Sequence, residues 1–573
     1  MADSPELPTL LHYLLLWEQR NPQEVYLTQP MPDGSVVRYT WRDVADQARR
    51  MANHLLKQRF PPGSLIAIIG NNCAHWIIAD LAIWIAGHVS VPVYPGIDAD
   101  TLEHVLAHSE ARLLFAGRLD SRGNGEFGRD PVSATLPHGL PVITLPSVNT
   151  QQASAVPGAQ RWDEIVCRTA PVQAFALPDP KSLATVIYTS GTTGRPKGVM
   201  HSFGTMCGAP SALSRFVSER SIPTQSDRML SYLPLSHCAE RHGTECASLR
   251  FGFQLFFCDR ADTFLADLQR ARPTIFLSVP YVGIRLAQFA NRRIPPLLQE
   301  IALAVPLLSG LMRRKLLRAM GLADVRIAYI GSAAVPAYLL RWYRRLGLEL
   351  LEGYGMTENF GYSHFNTLGS AREGYVGKCF PDVQCRIAPD GEILVKSPAQ
   401  MLGYYKDPDL TADSLTPDGF FKTGDRGYIY AQACLRITGR MNDPFKTAKG
   451  TFVNPAPIET SLTSHPWIEA ACVTGAGRTQ PFALLMLNQA GCELVERGAR
   501  AAVARTLEQL RQRINTQLPA HERLEMMVVV RKRWSVQGGD MTPSLKIRRA
   551  SIEDRHLWKA DSFASCGNPI VFE

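Results

Sequence analysis

The sequence lacks several features that define other classes of protein. Its 12 cysteines stand singly, with no C-x-x-C pair and no Cys/His cluster at the spacing of a metal site. This argues against a disulfide framework or a zinc module and favours a reducing, cytoplasmic location. No run reaches the roughly 20 apolar residues that span a bilayer. No basic segment precedes the short apolar run 10–17, so we expect no signal peptide.

Nucleic-acid binding is also not indicated. The formal net charge is +9, but the basic residues are scattered and no recognisable nucleic-acid module is present. Such a charge suits small anionic ligands or a membrane surface. Hydrophobic residues make up 45% and charged residues 20% of the 573 positions, an ordinary globular balance. A chain of this length predicts at least two domains.

Strand and helix patterns alternate through the first quarter of the chain. Apolar strand-like runs at 64–70, 89–94 and 113–116 are separated by helical patterns at 75–86 and 100–107. This spacing predicts βαβ units on a parallel sheet, and therefore an α/β fold. The Gly-, Ser- and Pro-rich stretch 117–160 reads as a surface excursion.

The most informative stretch is 186–202, which reads VIYTSGTTGRPKGVMHS. An apolar strand runs into a loop of Thr, Ser and Gly, whose amides and hydroxyls can donate to phosphate oxygens. Lys197 adds a compact positive charge at the end of the loop. This is not a Walker A loop, because Lys197 lies between proline and glycine. A polar surface turn is the alternative interpretation.

Further motifs follow in order: EGYGMTE at 352–358, GFFKTGDRGYI at 419–429 with Asp425 in a turn between two β-like runs, GR at 439–440 and TPSLKIRR at 542–549. Together with the loop at 186–202, they resemble the AMP-forming, adenylate-forming enzymes over nearly the whole chain. PLSHCAER at 234–241 and FKTAKGTFVNPAPIE at 445–459 most resemble the long-chain fatty-acid branch of the acyl-CoA synthetases.

The resemblance implies two domains and a set of site residues. A large AMP- and acyl-binding domain at 1–440, with parallel βαβ sheets, would precede a mobile α+β lid domain at 441–573, with the hinge at Asn442. Lys546, Thr357 and Glu358 would be catalytic, Glu358 and Thr189 would bind Mg²⁺, and His237 would border the acyl pocket. A lone His such as His237 is otherwise more often structural, and a lone Lys near the C-terminus is otherwise solvated surface. The remaining nucleotide- and CoA-binding positions would be Thr189, Ser190, Gly191, Thr192, Thr193, Gly194, Lys197, Gly331, Ser332, Ala333, Glu352, Gly353, Tyr354, Gly355, Met356, Asp425, Arg440, Lys449 and Gly450.

Within this set, three roles match residue chemistry closely. Tyr354 would stack on adenine, Asp425 would accept hydrogen bonds from the ribose hydroxyls, and Glu358 would bind a hard cation. The implied reaction activates a fatty acid with ATP and transfers it to CoA, so ATP, Mg²⁺, CoA and fatty acid are the expected ligands.

Three alternatives stay open. The chain could activate another carboxylic acid, load an acyl carrier protein, or be a degenerate nucleotide-binding protein, although the last fits poorly with the presence of Lys197, Glu358, Asp425, Arg440 and Lys546. The apolar and then basic stretch 295–320 is interpreted either as a core helix with a solvated basic end or as a helix on an anionic membrane face. A homodimer also stays open, because the sequence does not indicate the oligomeric state.

Overall fold

The computed structural model describes residues 8–31, 33–119, 139–146, 158–189, 195–208, 222–430, 433–441, 443–536, 538–542, 546–565 and 567–573, with Leu307 described by its backbone alone. Of the expected site residues, Ser190, Gly191, Thr192, Thr193 and Gly194 lie outside the described residues, as does the expected hinge residue Asn442.

The described chain alternates strands and helices along most of its length. In chain order the strands are β1 (Val25–Pro30), β2 (Val36–Thr40), β3 (Leu65–Ile69), β4 (Val89–Val93), β5 (Leu114–Ala116), β6 (Val142–Thr144), β7 (Gln160–Arg161), β8 (Leu183–Thr189), β9 (Lys197–Ser202), β10 (Arg228–Ser231), β11 (Gln254–Phe257), β12 (Ile275–Ser278), β13 (Ile327–Gly331), β14 (Leu350–Tyr354), β15 (His364–Phe365), β16 (Lys378–Cys379), β17 (Gln384–Ile387), β18 (Glu392–Lys396), β19 (Gly403–Tyr404), β20 (Phe421–Tyr430), β21 (Cys434–Arg440), β22 (Phe445–Lys446), β23 (Phe452–Val453), β24 (Ile468–Thr474), β25 (Phe482–Leu487), β26 (Met527–Val529) and β27 (Ile570–Phe572). The α-helices are α1 (Leu10–Arg20), α2 (Trp41–Lys57), α3 (Ala74–Ile85), α4 (Ala99–Ser109), α5 (Trp162–Arg168), α6 (Cys238–Glu240), α7 (Ala247–Phe251), α8 (Phe264–Ala271), α9 (Pro280–Arg293), α10 (Pro296–Ala304), α11 (Pro306–Ala319), α12 (Ala337–Arg345), α13 (Pro408–Asp413), α14 (Pro455–Thr463), α15 (Gln489–Leu494), α16 (Arg500–Asn515), α17 (Arg549–His556) and α18 (Ala560–Ser565). Short π-helical turns occur at Arg241–Cys246 and Val495–Ala499, and 3₁₀ turns occur at Thr357–Asn359 and Leu557–Lys559.

The predicted parallel sheet is confirmed. An eight-stranded sheet has the order β19-β9-β8-β4-β3-β5-β6-β7, and β3 pairs in parallel with both β4 and β5. Helices α3 and α4 connect these strands as the alternating pattern predicted, because buried apolar runs of strand length leave helices to cover the sheet. All residues of β3 and β4 are buried.

Two further sheets position the candidate site. A five-stranded sheet of order β12-β13-β14-β15-β16 is parallel through β14 and antiparallel beyond it. A four-stranded antiparallel sheet of order β17-β18-β20-β21 carries the GDRGY and GR motifs. The carboxyl ends of β13 and β14 therefore lead directly into the expected nucleotide-binding turns.

Two local predictions are wrong. The stretch 117–160 contains β6, a buried strand paired in parallel with β5, so at least this part belongs to the eight-stranded sheet. Asp425 does not lie in a turn, because β20 runs continuously through it. The strand shifts register against β21 between Arg426 and Gly427, and against β18 between the pairs Leu394↔Lys422 and Glu392↔Arg426. A β-bulge lets one strand contain glycines that would otherwise signal a turn.

The apolar stretch 295–320 forms two helices, α10 and α11, that begin at prolines. The core-helix interpretation is wrong for six of its large apolar side chains, which are exposed: Leu297, Leu298, Ile301, Val305, Leu308 and Leu311. Among the described side chains of this stretch, Gln299, Leu316 and Met320 are buried, and the last two pack into an apolar cluster. Among the described residues, no helix is long and apolar enough to cross a membrane.

A smaller C-terminal domain follows. Its sheet has the order β24-β25-β26-β27, and its helices α14 and α16 pack on one side around Leu485 and Leu507. A second cluster lies on the other side of the sheet, where Trp534 and Ile552 pack against Met486. These two apolar clusters give the C-terminal domain a core of its own, as the expected α+β pattern requires.

Candidate active site

The expected phosphate loop closes an antiparallel hairpin. Strands β8 and β9 pair from Leu183↔Ser202 to Thr189↔Lys197, so the loop leaves and re-enters the sheet at Thr189 and Lys197. The Lys197 ammonium lies 5.5 Å from the centre of the Tyr404 ring, within cation–π range. The hairpin therefore fixes a lysine and a threonine at the two ends of the loop.

Glycine is required where the second and third motifs approach each other. A Cβ on Gly331, at the end of β13, would lie 2.9 Å from the Gly353 carbonyl oxygen of β14. A Cβ on Gly355 would lie 2.6 Å from the backbone of Gly361. Both distances are shorter than the contacts that Cβ atoms make in proteins. Residues with side chains are therefore excluded at Gly331 and Gly355. Ser332 follows with a φ of 68°, and Ala333 is exposed.

Tyr354, Asp425 and Arg440 form one hydrogen-bonded group. The Tyr354 hydroxyl donates to Asp425 Oδ2 at 2.7 Å, and Arg440 Nε lies 2.9 Å from Asp425 Oδ1. Asp425 and Arg440 are directly opposed on β20 and β21. Burial raises the pKa of Tyr354 well above its usual value, and the Asp425 carboxylate raises it further. The phenol is therefore a neutral donor that orients the carboxylate.

The turn that follows β14 holds Thr357 and Glu358. The Met356 N–H donates to Asn359 Oδ1 at 2.9 Å, which shapes the short 3₁₀ turn. The Thr357 carbonyl accepts from His201 Nε2 at 2.7 Å, and burial lowers the pKa of His201 to about 4, so the ring is neutral. Glu358 Oε1 accepts from the Tyr404 hydroxyl at 2.9 Å. A partly exposed carboxylate held in this way is a suitable ligand for a hard cation such as Mg²⁺.

Lys546 lies in the same cleft. The surrounding protein and then the positive charge of Arg440 lower the pKa of its ammonium, whereas Asp425 and Glu358 act in the opposite direction. The Lys546 ammonium therefore interacts electrostatically with both carboxylates. The residue keeps solvent exposure, as a side chain on the wall of an open cleft does. The structure thus brings residues from four separate motifs together.

These motifs belong to a known family. A model described as "AMP-binding enzyme" matches residues 16–405, and one described as "AMP-binding enzyme C-terminal domain" matches residues 443–558. The chain belongs to the AMP-binding enzyme family.

Relatives in this family share its full length at low identity. The long-chain-fatty-acid–CoA ligase FadD15 of Mycobacterium tuberculosis is 27% identical over 577 residues, which is 94% of each protein. The long-chain-fatty-acid–CoA ligase 1 of Cavia porcellus is 26% identical, over 93% of this chain and 83% of that protein. The adenylation domain of a Mycobacterium chelonae carboxylate reductase has a TM-score of 0.79 at 20% identity, covering 98% of this chain and 92% of that one. The structural likeness establishes the adenylate-forming fold.

The surroundings of His237, Lys449 and Gly450 bear on the roles expected of them in this AMP-binding enzyme. His237 Nδ1 accepts the Ala239 N–H at 3.1 Å and so caps α6. Burial, followed by the charge of Lys546, lowers the pKa of His237 to about 4. Lys449 and Gly450 lie exposed between β22 and β23, and Gly450 has a φ of 78° with open space around it.

Glu352, another acid of the expected set, is buried in the middle of β14. Burial raises its pKa to about 8, with a hydrogen bond from the Val335 backbone acting in the opposite direction. Its side chain is therefore largely protonated at neutral pH.

Sequence reasoning missed two residues that hold side chains or backbone of the candidate site, and one buried cluster. Tyr404 orients Glu358, and His201 holds the Thr357 carbonyl. Tyr404 lies in the GYYKDP segment next to Pro408, but nothing in that pattern indicates a partner 46 residues away. Beneath the site, Arg241 of the PLSHCAER motif pairs with the buried acids Asp80 and Glu245.

Proposed function

We propose that this chain is an ATP-dependent, AMP-forming fatty acid–CoA ligase. The observation that carries the proposal is the group that Tyr354, Asp425 and Arg440 form by hydrogen bonds, with which the C-terminal Lys546 interacts electrostatically. This juxtaposition is expected of an enzyme that catalyses adenylation and is not required of a protein that only binds AMP. The names of the matching FadD15 and Cavia porcellus ligases support a long-chain fatty acid as the acid and CoA as the acceptor.

In this proposal, the nucleotide lies across the ends of β13 and β14. Tyr354 stacks on the adenine, the glycine-lined turn from Gly331 to Ala333 borders it, and Asp425 accepts from the ribose hydroxyls. The loop that ends at Lys197 and the hydroxyl of Thr357 contact the phosphates. Glu358 and Thr189 would hold Mg²⁺, which supplies charge neutralisation at the phosphate oxygens.

The first half-reaction is attack of a fatty-acid carboxylate oxygen on the α-phosphorus, with pyrophosphate leaving. Negative charge develops on the phosphoryl oxygens, and Lys546 offsets it from a fixed position. Holding both reactants in line supplies much of the remaining rate enhancement. Neither the charge stabilisation nor the alignment of the reactants needs a nucleophilic side chain. This explains why the site consists of loops, Lys, Arg and carboxylates.

In the second half-reaction, the thiolate of CoA attacks the acyl carbonyl and AMP leaves. We propose that the C-terminal domain, from residue 441 onward, rotates about Asn442 for this step and brings Lys449 and Gly450 to the pantetheine arm. Because Gly450 has a φ of 78°, any side chain at this position would strain the backbone.

Lys449→Glu is therefore a better test of this loop than a substitution of Gly450. We expect Lys449→Glu to lower kcat/KM for CoA without altering acyl-adenylate formation.

The exposed apolar side chains of α10 and α11 support peripheral contact with a membrane, from which a fatty acid could be taken. They lie beside Arg313, Arg314 and Lys315, a combination that suits an anionic lipid surface. Leu311→Asp should reduce sedimentation with anionic vesicles, because Leu311 is 68% exposed. Leu56→Asp, at an exposed leucine outside this surface, is the matched control. Equal binding by both variants would remove the membrane proposal and leave the ligase proposal intact.

A substrate screen tests the ligase proposal. Pyrophosphate release is measured with ATP and acids from short to very long chain, together with aryl acids, and AMP formation is then measured with CoA or with a phosphopantetheinylated carrier protein. We expect the highest kcat/KM with long-chain acids and CoA. Preference for an aryl acid or for the carrier protein would replace the substrate assignment. Absence of pyrophosphate release with every acid would overturn the enzymatic role.

A further inference from the structure

A cluster of metal-ligating side chains lies outside the residues assigned to the reaction. His364, Cys379 and Cys385 place one imidazole nitrogen and two sulfur atoms within 4.8 Å of one another. His364 Nε2 and Cys379 Sγ are 3.1 Å apart. His364 and Cys379 are directly opposed on β15 and β16, whereas Cys385 reaches them from β17 of a different sheet. The sequence did not indicate this cluster, because its members are 15 and 6 positions apart and form no known metal-binding pattern.

The distances suit a tetrahedral thiophilic ion. Zn²⁺ binds sulfur at about 2.3 Å and imidazole nitrogen at about 2.0–2.1 Å, so neighbouring ligand atoms are roughly 3.6–3.8 Å apart. The observed range, from 3.1 Å to at most 4.8 Å, brackets this value. Small side-chain rotations would therefore centre the three atoms on one ion without moving the strands.

The surroundings of the cluster favour coordination. Ser363 Oγ lies 2.9 Å from His364 Nδ1, so the second ring nitrogen has a partner and the first can face the ion, as in most histidine metal ligands. His364 itself is buried. Cys379 and Cys385 are both partly buried. Each would bind the ion as a thiolate, and metal binding releases the thiol proton.

We propose that His364, Cys379 and Cys385 bind one Zn²⁺ ion, with a water molecule as the fourth ligand. The ion would connect β15 and β16 to β17, and so join two sheets of the large domain. It would also lie close to the nucleotide-binding part of the cleft, since His364 is opposed to Tyr354 on β14 and their ring centres are 6.0 Å apart. Because Zn²⁺ would bind the folded state and not the unfolded state, it would shift the equilibrium towards the folded protein.

Cobalt substitution tests the site independently of ligase activity. The full-length, metal-stripped and reduced protein is titrated with Co²⁺, and absorption is followed in the near ultraviolet and the visible range. We expect one Co²⁺ per chain, thiolate-to-cobalt charge-transfer bands and the intense d–d bands of tetrahedral cobalt, all abolished by one equivalent of Zn²⁺. Cys385→Ser should weaken binding by more than the roughly 10- to 100-fold that loss of an outer partner of a metal ligand costs.

Two further measurements keep the result unambiguous. Cys434→Ser, which alters a partly buried cysteine of β21 outside the cluster, should bind Co²⁺ as the unaltered protein does. Zn²⁺ should raise the Tm of the unaltered protein and of Cys434→Ser but not that of Cys385→Ser, provided circular dichroism shows all three to be folded. Equal Co²⁺ binding by the two variants overturns the proposal. A second outcome would also overturn the proposal. If the reduced protein shows no charge-transfer bands with Co²⁺ and the oxidised protein contains a Cys379–Cys385 disulfide, the two cysteines are a redox pair rather than metal ligands.

Discussion

The large domain uses charged side chains in two contrasting places. Asp80, Arg241 and Glu245 have no exposed side-chain surface. The Arg241 guanidinium lies 5.5 Å from the centre of the Trp76 ring and 5.6 Å from that of Trp84. The pair of Asp425 and Arg440 instead lies at the cleft, where half of the arginine side chain is exposed. Buried charges must be satisfied by the protein alone, whereas charges at an open cleft can interact with a ligand. The first group therefore contributes to the fold, and the second is available to a ligand.

The buried cluster also has perturbed pKa values. Burial raises the pKa of both Glu245 and Asp80, whereas the charge of Arg241 acts in the opposite direction. One guanidinium thus faces two buried acids. Arg241 also donates to Thr185 Oγ1 at 2.7 Å on β8, the strand that leads into the phosphate loop. The buried cluster thereby anchors the sheet beneath the site.

The largest effect should come from breaking the buried cluster. Arg241→Met leaves two acids without their cation, and we expect the free energy of unfolding to fall by about 3–5 kcal/mol. Urea denaturation followed by tryptophan fluorescence measures this change, because Trp76 and Trp84 flank the site. The matched control is Arg386→Met, since the pair of Arg386 and Asp418 is about half exposed and should contribute at most about 1 kcal/mol. Similar losses in both variants would contradict the comparison.

The next effect should come from removing the cation of the cleft. Lys546→Ala should slow acyl-adenylate formation by roughly 100- to 1000-fold, because a fixed donor to the developing phosphoryl charge is lost. The same variant, given synthetic acyl-adenylate and CoA, should form acyl-CoA at close to the normal rate. Pyrophosphate release and thioester formation are measured separately. Loss of both steps together, or of neither, would contradict the proposed rotation of the C-terminal domain.

A smaller effect is expected at the carboxylate of the cleft. Asp425→Ala should lower kcat/KM for ATP by about 10- to 100-fold, the value of hydrogen bonds to a charged group. Much of the loss should appear in KM, because the ribose does not react. Asp418→Ala removes a half-exposed acid of another ion pair and serves as the control. Unchanged ATP kinetics in Asp425→Ala would mean that this carboxylate does not contact the nucleotide.

The smallest effect should come from replacing Glu352. This buried acid extends the comparison between buried and cleft-lining charges. Its pKa is raised from 4.5 to about 8, so the folded state binds a proton more tightly than the unfolded state does. This contribution to stability is present below about pH 4.5 and is lost as the pH rises towards 8. Glu352→Gln removes this titration at nearly constant side-chain size. Urea midpoints at pH 5 and pH 8 should therefore differ less in the variant than in the unaltered protein, and an equal pH dependence would contradict the buried, protonated state.

By itself, the sequence determined the α/β class, the parallel sheet and the order of the motifs, because strand periodicity and short glycine-rich strings are local properties of the chain. Their resemblance to one enzyme family could be recognised for the same reason. The tertiary structure alone decided which side chains meet. Asp80 and Arg241 are 161 positions apart, and Asp425 faces Arg440 only through the register of two strands. His364, Cys379 and Cys385 come together only where two sheets pack. Such contacts depend on register and packing between distant segments, and local sequence patterns carry no information about either.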